Sequence, residues 1–353
     1  MKALILAGGR GTRLRPITYS IAKQLVPVGN KPVIEYSIEA LKEAGLTEFG
    51  IVVGDSWREI ESALGDGSRW GVRFTYVKQE APLGLAHAVQ TARDYLNGDT
   101  FVVFLGDNLI KGGVKEIVGE FQAKPCDASI LLSRVPNPQE FGVAELSGDR
   151  VVRLVEKPAE PKSDLALVGV YLFSPVVFDA IKTLRPSFRG EYEITDAIQT
   201  LIDWGKEVRY KIITGWWKDT GTVEAILEAN RLVLEDLTSH INGVVEDTRV
   251  EGSVRVGEGS VVRRSVLRGP VVIGANCLVE DAYVGPFTSL SDGVQLKNAE
   301  IEYSIVMNDS VIQDVTTRIS GSLLGRGVRV SRALQKPTNV RLVLGDHSDV
   351  VLP

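Results

Sequence analysis

The chain has 353 residues, 44% hydrophobic and 24% charged, which suggests two domains of an ordinary soluble globular protein. A net charge of −5 gives no reason to expect nucleic acid or an anionic membrane surface as partner, so an anionic substrate would need local positive charge, as in Arg10, Arg13, Arg15 and Lys23. Two distant cysteines (Cys126, Cys277) and three scattered histidines (His87, His240, His347) make no disulfide framework and show no zinc-ligand spacing; with no signal-like or membrane-length apolar run, the chain is expected in the cytoplasm.

Ala3–Ala7 reads as a buried strand that empties into Gly8, Gly9, Arg10, Gly11, Thr12 and Arg13. Such a loop leaves backbone N–H groups close to a ligand and can cradle phosphates. It is not a Walker A loop, because no Lys-Ser or Lys-Thr pair closes it. It is not a dinucleotide fingerprint, because Leu14 stands where the third glycine belongs. Downstream, helical spacing covers 33–44, stopped by Gly45, and a buried strand covers 49–53. A short helix is predicted over 57–64, a strand over 74–77, one helix over 85–96, and a buried strand over 101–105. Strands alternating with helices indicate an α/β sheet covered on both faces. Shorter strands at 128–133, 143–145 and 151–155 suggest a mixed or antiparallel section, and a helix over 223–237 closes this half.

After His240 the texture changes to Val, Ile, Gly and Ser. Val272, Leu278, Val284, Leu290 and Leu296 recur every six residues, with Gly274, Gly285 and Gly293 among them. A fixed six-residue period is the mark of a hexapeptide β-helix, whose stacked coils bury the repeated aliphatic residue in a column.

The string LAGGxGTRLxPxT, followed by Lys23 in AKQLVPV and by Lys31-Pro32, resembles the opening of the sugar-1-phosphate nucleotidyltransferases. The resemblance extends over roughly the first 235 residues, and with the repeat tail it is greatest to the long-form glucose-1-phosphate thymidylyltransferases. It implies a Rossmann-like nucleotidyltransferase domain with a mixed central sheet over 1–240, then a left-handed parallel β-helix of hexapeptide repeats over 241–353. The implied partners are dTTP or UTP and a sugar 1-phosphate, with glucose 1-phosphate foremost. The implied cofactor is Mg²⁺, and a homo-oligomer is expected.

The resemblance also implies a set of site residues. Leu6, Gly8, Gly9, Gly11, Thr12 and Arg13 would face the nucleotide, with Gln79, Pro82 and Gly84 at the base. An amide carries both a donor and an acceptor, as does the edge of a pyrimidine, which suits Gln79 to that task. Lys23 would neutralise phosphate charge. Asp107 in LGDN follows the 101–105 strand, where ligands of α/β proteins gather and where a carboxylate can hold Mg²⁺. Asp219 in WWKDTGT is the implied second metal carboxylate. Asn108, Gly142, Glu156, Lys157, Val168, Gly169, Arg189 and Trp217 would form the sugar-phosphate side, with Lys157 on the phosphate and Glu156 on sugar hydroxyls. The attacking sugar phosphate needs no general base, since a phosphomonoester with a second pKa of about 6 is largely ionised near neutrality. The catalytic set is therefore cationic and metal-binding: Arg13, Lys23, Asp107, Lys157 and Asp219. An alternative is a bifunctional enzyme whose β-helix is an acetyltransferase on amino-sugar phosphates; such a tail normally offers a histidine within its coils, and here only His240 and His347 flank them.

Overall fold

The computed structural model describes residues 1–332 and 346–350. Two compact units emerge. One comprises Met1–Arg10, Ile21–Leu25 and Val33–Asp219; the other comprises Gly11–Ser20, Val26–Pro32 and the chain from Thr220 on.

The first unit is built on a nine-stranded mixed sheet. Lys2–Ala7 lies between Glu48–Val53 and Phe101–Leu105, parallel to both, and Arg73–Lys78 extends the parallel part. Lys2–Ala7, Glu48–Val53 and Phe101–Leu105 are mostly apolar and buried along almost their whole length, whereas the edge strand Arg73–Lys78 alternates. The register pairs Ala7 with Val53 and Leu6 with Leu105, so the strands end together. Each empties into a glycine: Gly8, Gly54 and Gly106. The Gly106 N–H donates to Leu6 O at 3.0 Å, and a Cβ on Gly54 would stand 2.6 Å from Gly8 O. Leu165–Phe173, buried along its whole length, runs antiparallel to Phe101–Leu105 and carries the sheet on to Gly142–Ser147 and Arg150–Glu156. The sheet is α/β and mixed, as the strand pattern predicts.

The helix at Val33–Glu43 is followed by Gly45 at φ +86°. One element differs from expectation: the single helix over 85–96 is two, Leu85–Thr91 and Arg93–Leu96, broken at Ala92. Sequence reading also passes over Asn108–Ile110, Lys115–Ala123, Val177–Thr183, Ile194–Asp203 and Val208–Ile212.

The second unit contains a parallel β-helix. Val254 pairs with Val271 and Val271 with Thr288, so these coils take 17 residues, and later ones step by 16 or 18. The buried columns are therefore offset from the six-residue series. Ile273 stacks under Leu290, Val279 under Leu296, and Leu267 under Val284 and Ile301. Val284, Leu290 and Leu296 lie in the buried cluster as expected; Val272 is buried but outside that cluster, and Leu278 is only half-buried. A 17-residue coil is one short of three hexapeptides, so a strict six-residue count slips off the inward position within a turn. Left-handed residues mark one corner of successive coils: Asp247, Arg264, Asp281, Asn298 and Asp314. Asp and Asn tolerate that conformation; Arg264 is held in it by side-chain bonds to Asp281 at 2.8 Å.

Candidate active site

The phosphate-loop glycines are placed at the carboxyl edge of the sheet, and each leaves room for one functional side chain. A Cβ on Gly8 would meet Gln79 Oε1 at 2.9 Å; a Cβ on Gly9 would meet Lys23 Cε at 3.1 Å and Nζ at 3.2 Å. Gln79 follows the Arg73–Lys78 strand, is 7% exposed, and its backbone N–H donates to Val53 O at 2.8 Å. With Gly8, Arg10, Gly54, Asp55 and Pro82 it lines a small hollow. Arg10 points outward and donates to Asp55 Oδ2 at 2.9 Å on the exposed surface. Leu6 buries its side chain in the core, so only its backbone belongs to the strand end. Gly84 sits at φ +104°, and a Cβ there would stand 2.6 Å from Tyr192 O: glycine is required here by the backbone of Tyr192.

Lys23 reaches from Gly9 to Asp107, with which it forms an ion pair, both side chains being largely buried. Burial alone would push the Asp107 carboxyl up. The Lys23 ammonium and hydrogen bonds from Lys23 and Asn108 outweigh it and hold the group below the ordinary carboxylate range. Asn108, 2% exposed, donates to Asp107 Oδ1 at 2.9 Å and accepts from Trp217 Nε1 at 2.6 Å. The strand Asn108–Ile110 pairs antiparallel with Trp217–Asp219, and Asp219 stands directly opposite Asn108. Asp107 immediately precedes Asn108, so the pairing brings two acids remote in sequence to nearby backbone positions. Gly169 faces the same group: a Cβ on it would meet Asn108 Oδ1 and Leu105 at 2.7 Å. Val168 beside it is fully buried.

Trp217 leads on to the third cluster. Its ring packs edge-on against Phe141, centroids 5.0 Å apart, and Phe141 O accepts the backbone N–H of Lys157 at 3.0 Å. Lys157 is exposed and adopts φ +43°, an unusual conformation for a lysine that turns the chain sharply after Glu156. Glu156 accepts from Thr195 Oγ1 at 2.7 Å, and a Cβ on Gly142 would stand 3.1 Å from Glu156 Oε2. Arg189 lies within 3.2–3.4 Å of Glu156, Glu191 and Glu193, so three carboxylates share its charge. Burial pushes Glu193 up despite that partner.

One connected series of contacts therefore runs from Gln79 through Gly8 and Gly9 to Lys23, Asp107, Asn108, Trp217, Phe141 and Lys157. Gly11, Thr12 and Arg13 continue the loop in the chain; Thr12–Leu14 forms a short 3-10 turn in the second unit, entered through Gly11 at φ +62°.

Residues 2–236 match the nucleotidyl transferase family. The chain belongs to that family. A glucose-1-phosphate thymidylyltransferase of Streptomyces griseus is 54% identical over 350 residues, 99% of this chain and 98% of the relative. One of Streptomyces antibioticus is 53% identical over 99% of each chain. Among solved structures, a Bacillus anthracis protein described as a glucose-1-phosphate thymidylyltransferase, crystallised with sucrose, superposes with a TM-score of 0.64 at 39% identity; the match covers 68% of this chain and 97% of that one.

For a nucleotidyl transferase, Asp107 and Asp219 are an apt pair. Among the described residues no cluster of three or more His, Cys, Asp or Glu could hold a metal. Two carboxylates, one opposite Asn108 and the other just before it in the chain, nevertheless suit Mg²⁺, which takes few protein oxygens and completes its shell with phosphate and water. Some functional neighbours escape sequence reading. His87 bonds Gln79, Thr195 holds Glu156, and Phe141 links Trp217 to Lys157. The only signal available for His87 is its position one turn into a helix that begins just after Gly84. Among the described residues no helix is long and apolar enough to cross a membrane.

Proposed function

We propose that this nucleotidyltransferase joins dTTP and glucose 1-phosphate, forming dTDP-glucose and releasing pyrophosphate. The observation that carries the reading is the connected series from Gln79 to Lys157. It spaces an amide suited to a pyrimidine, a phosphate lysine, two carboxylates and a second lysine in the order that base, triphosphate and sugar phosphate demand. The full-length relatives named for that reaction support the choice of substrates.

In this reading a phosphate oxygen of glucose 1-phosphate attacks the α-phosphorus of dTTP as the bond to the β-phosphate oxygen breaks. The attacking group is already ionised, so the protein aligns two mutually repelling anions and spreads the developing charge. Gln79 and the Gly8–Gly9 backbone seat the nucleotide, with Pro82 and Gly84 at the base side and Arg13 in the continuing turn. Lys23 stands against the loop where phosphates would lie, held there by Asp107. Lys157 meets the sugar phosphate, while Glu156, Gly142, Asn108, Val168 and Gly169 shape the sugar pocket. Trp217 fixes Asn108 through its indole N–H. Arg189 best serves by steadying Glu156, since its charge is shared with three glutamates. Mg²⁺ held by Asp107 and Asp219 would supply charge neutralisation at the triphosphate.

The same reading assigns the chemistry to residues 1–240 and the β-helix assembly, in a cytoplasmic homo-oligomer, to 241–353. Pyrophosphate release from glucose 1-phosphate with dTTP, UTP, dCTP, ATP and GTP in turn tests it. Release with dTTP supports it, and release with a purine triphosphate alone refutes it.

A further inference from the structure

The amide of Gln79 is not free to choose which end it shows. Its Nε2 lies 2.9 Å from His87 Nδ1 and 3.3 Å from Gly84 O. A carbonyl oxygen can only accept, so the amide atom facing Gly84 must be the nitrogen. The same NH₂ faces His87, so Nδ1 of that ring must be the acceptor, and the imidazole is neutral with its proton on Nε2. Burial, which pushes His87 below its ordinary value, favours that form. The ring is itself seated against Tyr192, centroids 6.5 Å apart and 28° from parallel. Both N–H groups of Gln79 are thus engaged within the protein. What remains is Oε1, beside Gly8, which accepts no hydrogen bond among the described residues.

We infer that His87 is a positioning residue that fixes the Gln79 amide with its oxygen toward the base, so that the site selects a pyrimidine with an N3–H over one with a bare N3. The inference rests on the reading that Gln79 faces the base. Thymine and uracil carry a hydrogen on N3, which an acceptor satisfies. Cytosine carries a lone pair there, which an amide oxygen repels. Without an acceptor at position 87, one N–H of Gln79 loses its partner. Only the longer 3.3 Å contact to Gly84 O then holds the amide, so it turns its nitrogen outward more readily, where it would satisfy cytosine N3 instead. A lost or misplaced hydrogen bond of this kind is where a site built for a polar contact discriminates most.

Two substitutions separate this role from simple packing. His87→Phe keeps a ring against Tyr192 and removes the acceptor. His87→Asn gives up the ring and returns an acceptor near the place of Nδ1. The readout is the ratio of kcat/KM for dTTP to that for dCTP with glucose 1-phosphate. His87→Phe is expected to lower the ratio at least tenfold, raising KM for dTTP more than it lowers kcat, with UTP falling in parallel because it shares the N3–H. His87→Asn is expected to restore most of the ratio. If His87→Phe keeps the ratio and His87→Asn loses it, the ring matters only as packing and the inference is overturned. Gln79→Ala decides which premise failed. A ratio unchanged by Gln79→Ala overturns the base-facing reading and this inference with it. A ratio that collapses in Gln79→Ala but survives in His87→Phe overturns the role of His87 alone. Should His87→Phe fold poorly, His87→Leu read by dTTP and dCTP binding calorimetry on the same full chain gives the same comparison.

Discussion

Gly9 and Lys23 touch in a way that a side chain at position 9 would disturb: a Cβ there would stand 3.1 Å from Lys23 Cε. Lys23 cannot yield freely, because its ammonium is paired with Asp107. Gly9→Ala is therefore expected to lower kcat about tenfold, equivalent to about 1.4 kcal/mol of transition-state stabilisation. Gly8→Ala would press on Gln79 Oε1 instead, and is expected to raise KM for the nucleotide more than it lowers kcat. Steady-state kinetics on the two variants separates the effects; identical profiles would show that the two glycines do not serve different ends of the nucleotide.

Asp107→Asn and Asp219→Asn are each expected to cut Mg²⁺-dependent turnover by about a hundredfold or more. Asp107→Asn also removes a carboxylate that is paired with the largely buried Lys23. Activity titrated against Mg²⁺, with circular dichroism to confirm folding, checks both. Near-wild-type kcat at saturating Mg²⁺ in either folded variant would remove that carboxylate from the metal site.

Lys157→Ala should raise KM for the sugar phosphate more than for the nucleotide, and Gln79→Ala should do the reverse. The two residues stand at opposite ends of the contact series, separated by Lys23, Asp107, Asn108, Trp217 and Phe141. Equal losses for both substrates in both variants would contradict the order of the pockets.

In the second unit, Asn230 is fully buried on the Val223–Glu235 helix. Its Oδ1 accepts from Gly29 N at 2.8 Å and Ser289 Oγ at 2.7 Å, and its Nδ2 donates to Phe287 O at 2.9 Å. Asn230→Ala would strand these groups, each costing about 1–3 kcal/mol when buried without a partner. Val284→Asp would place a charge between Leu267 and Ile301, at a cost on the order of several kcal/mol. Both should lower the unfolding temperature well beyond Leu278→Ala, whose side chain is only half-buried and lies outside the buried cluster. A Leu278→Ala as damaging as Val284→Asp would contradict the 17-residue stacking.

The strands and the loop were legible because their signals are local. Phe101–Leu105 and Trp57–Leu64 match their predicted bounds, since an apolar run and a helical spacing each carry their own periodicity. The break at Ala92 was not legible, because Ala is the strongest helix former and nothing in ARDYL announces a stop. Asn108–Ile110 was missed because three residues carry no period, yet that strand is what brings Asp219 beside Asp107. The reason for Gly84 was likewise invisible: it is set by Tyr192, a partner supplied by the fold. The β-helix was recognisable from its aliphatic spacing, but the inward positions depend on a coil length that a six-residue count overshoots by one.

The most direct test is the purified full chain incubated with Mg²⁺, glucose 1-phosphate and dTTP, with pyrophosphate and sugar nucleotide quantified together. The account expects one pyrophosphate released for each dTDP-glucose formed, and none when glucose 1-phosphate is omitted. Pyrophosphate release that ignores the sugar phosphate, or no dTDP-glucose at any dTTP concentration, would contradict it.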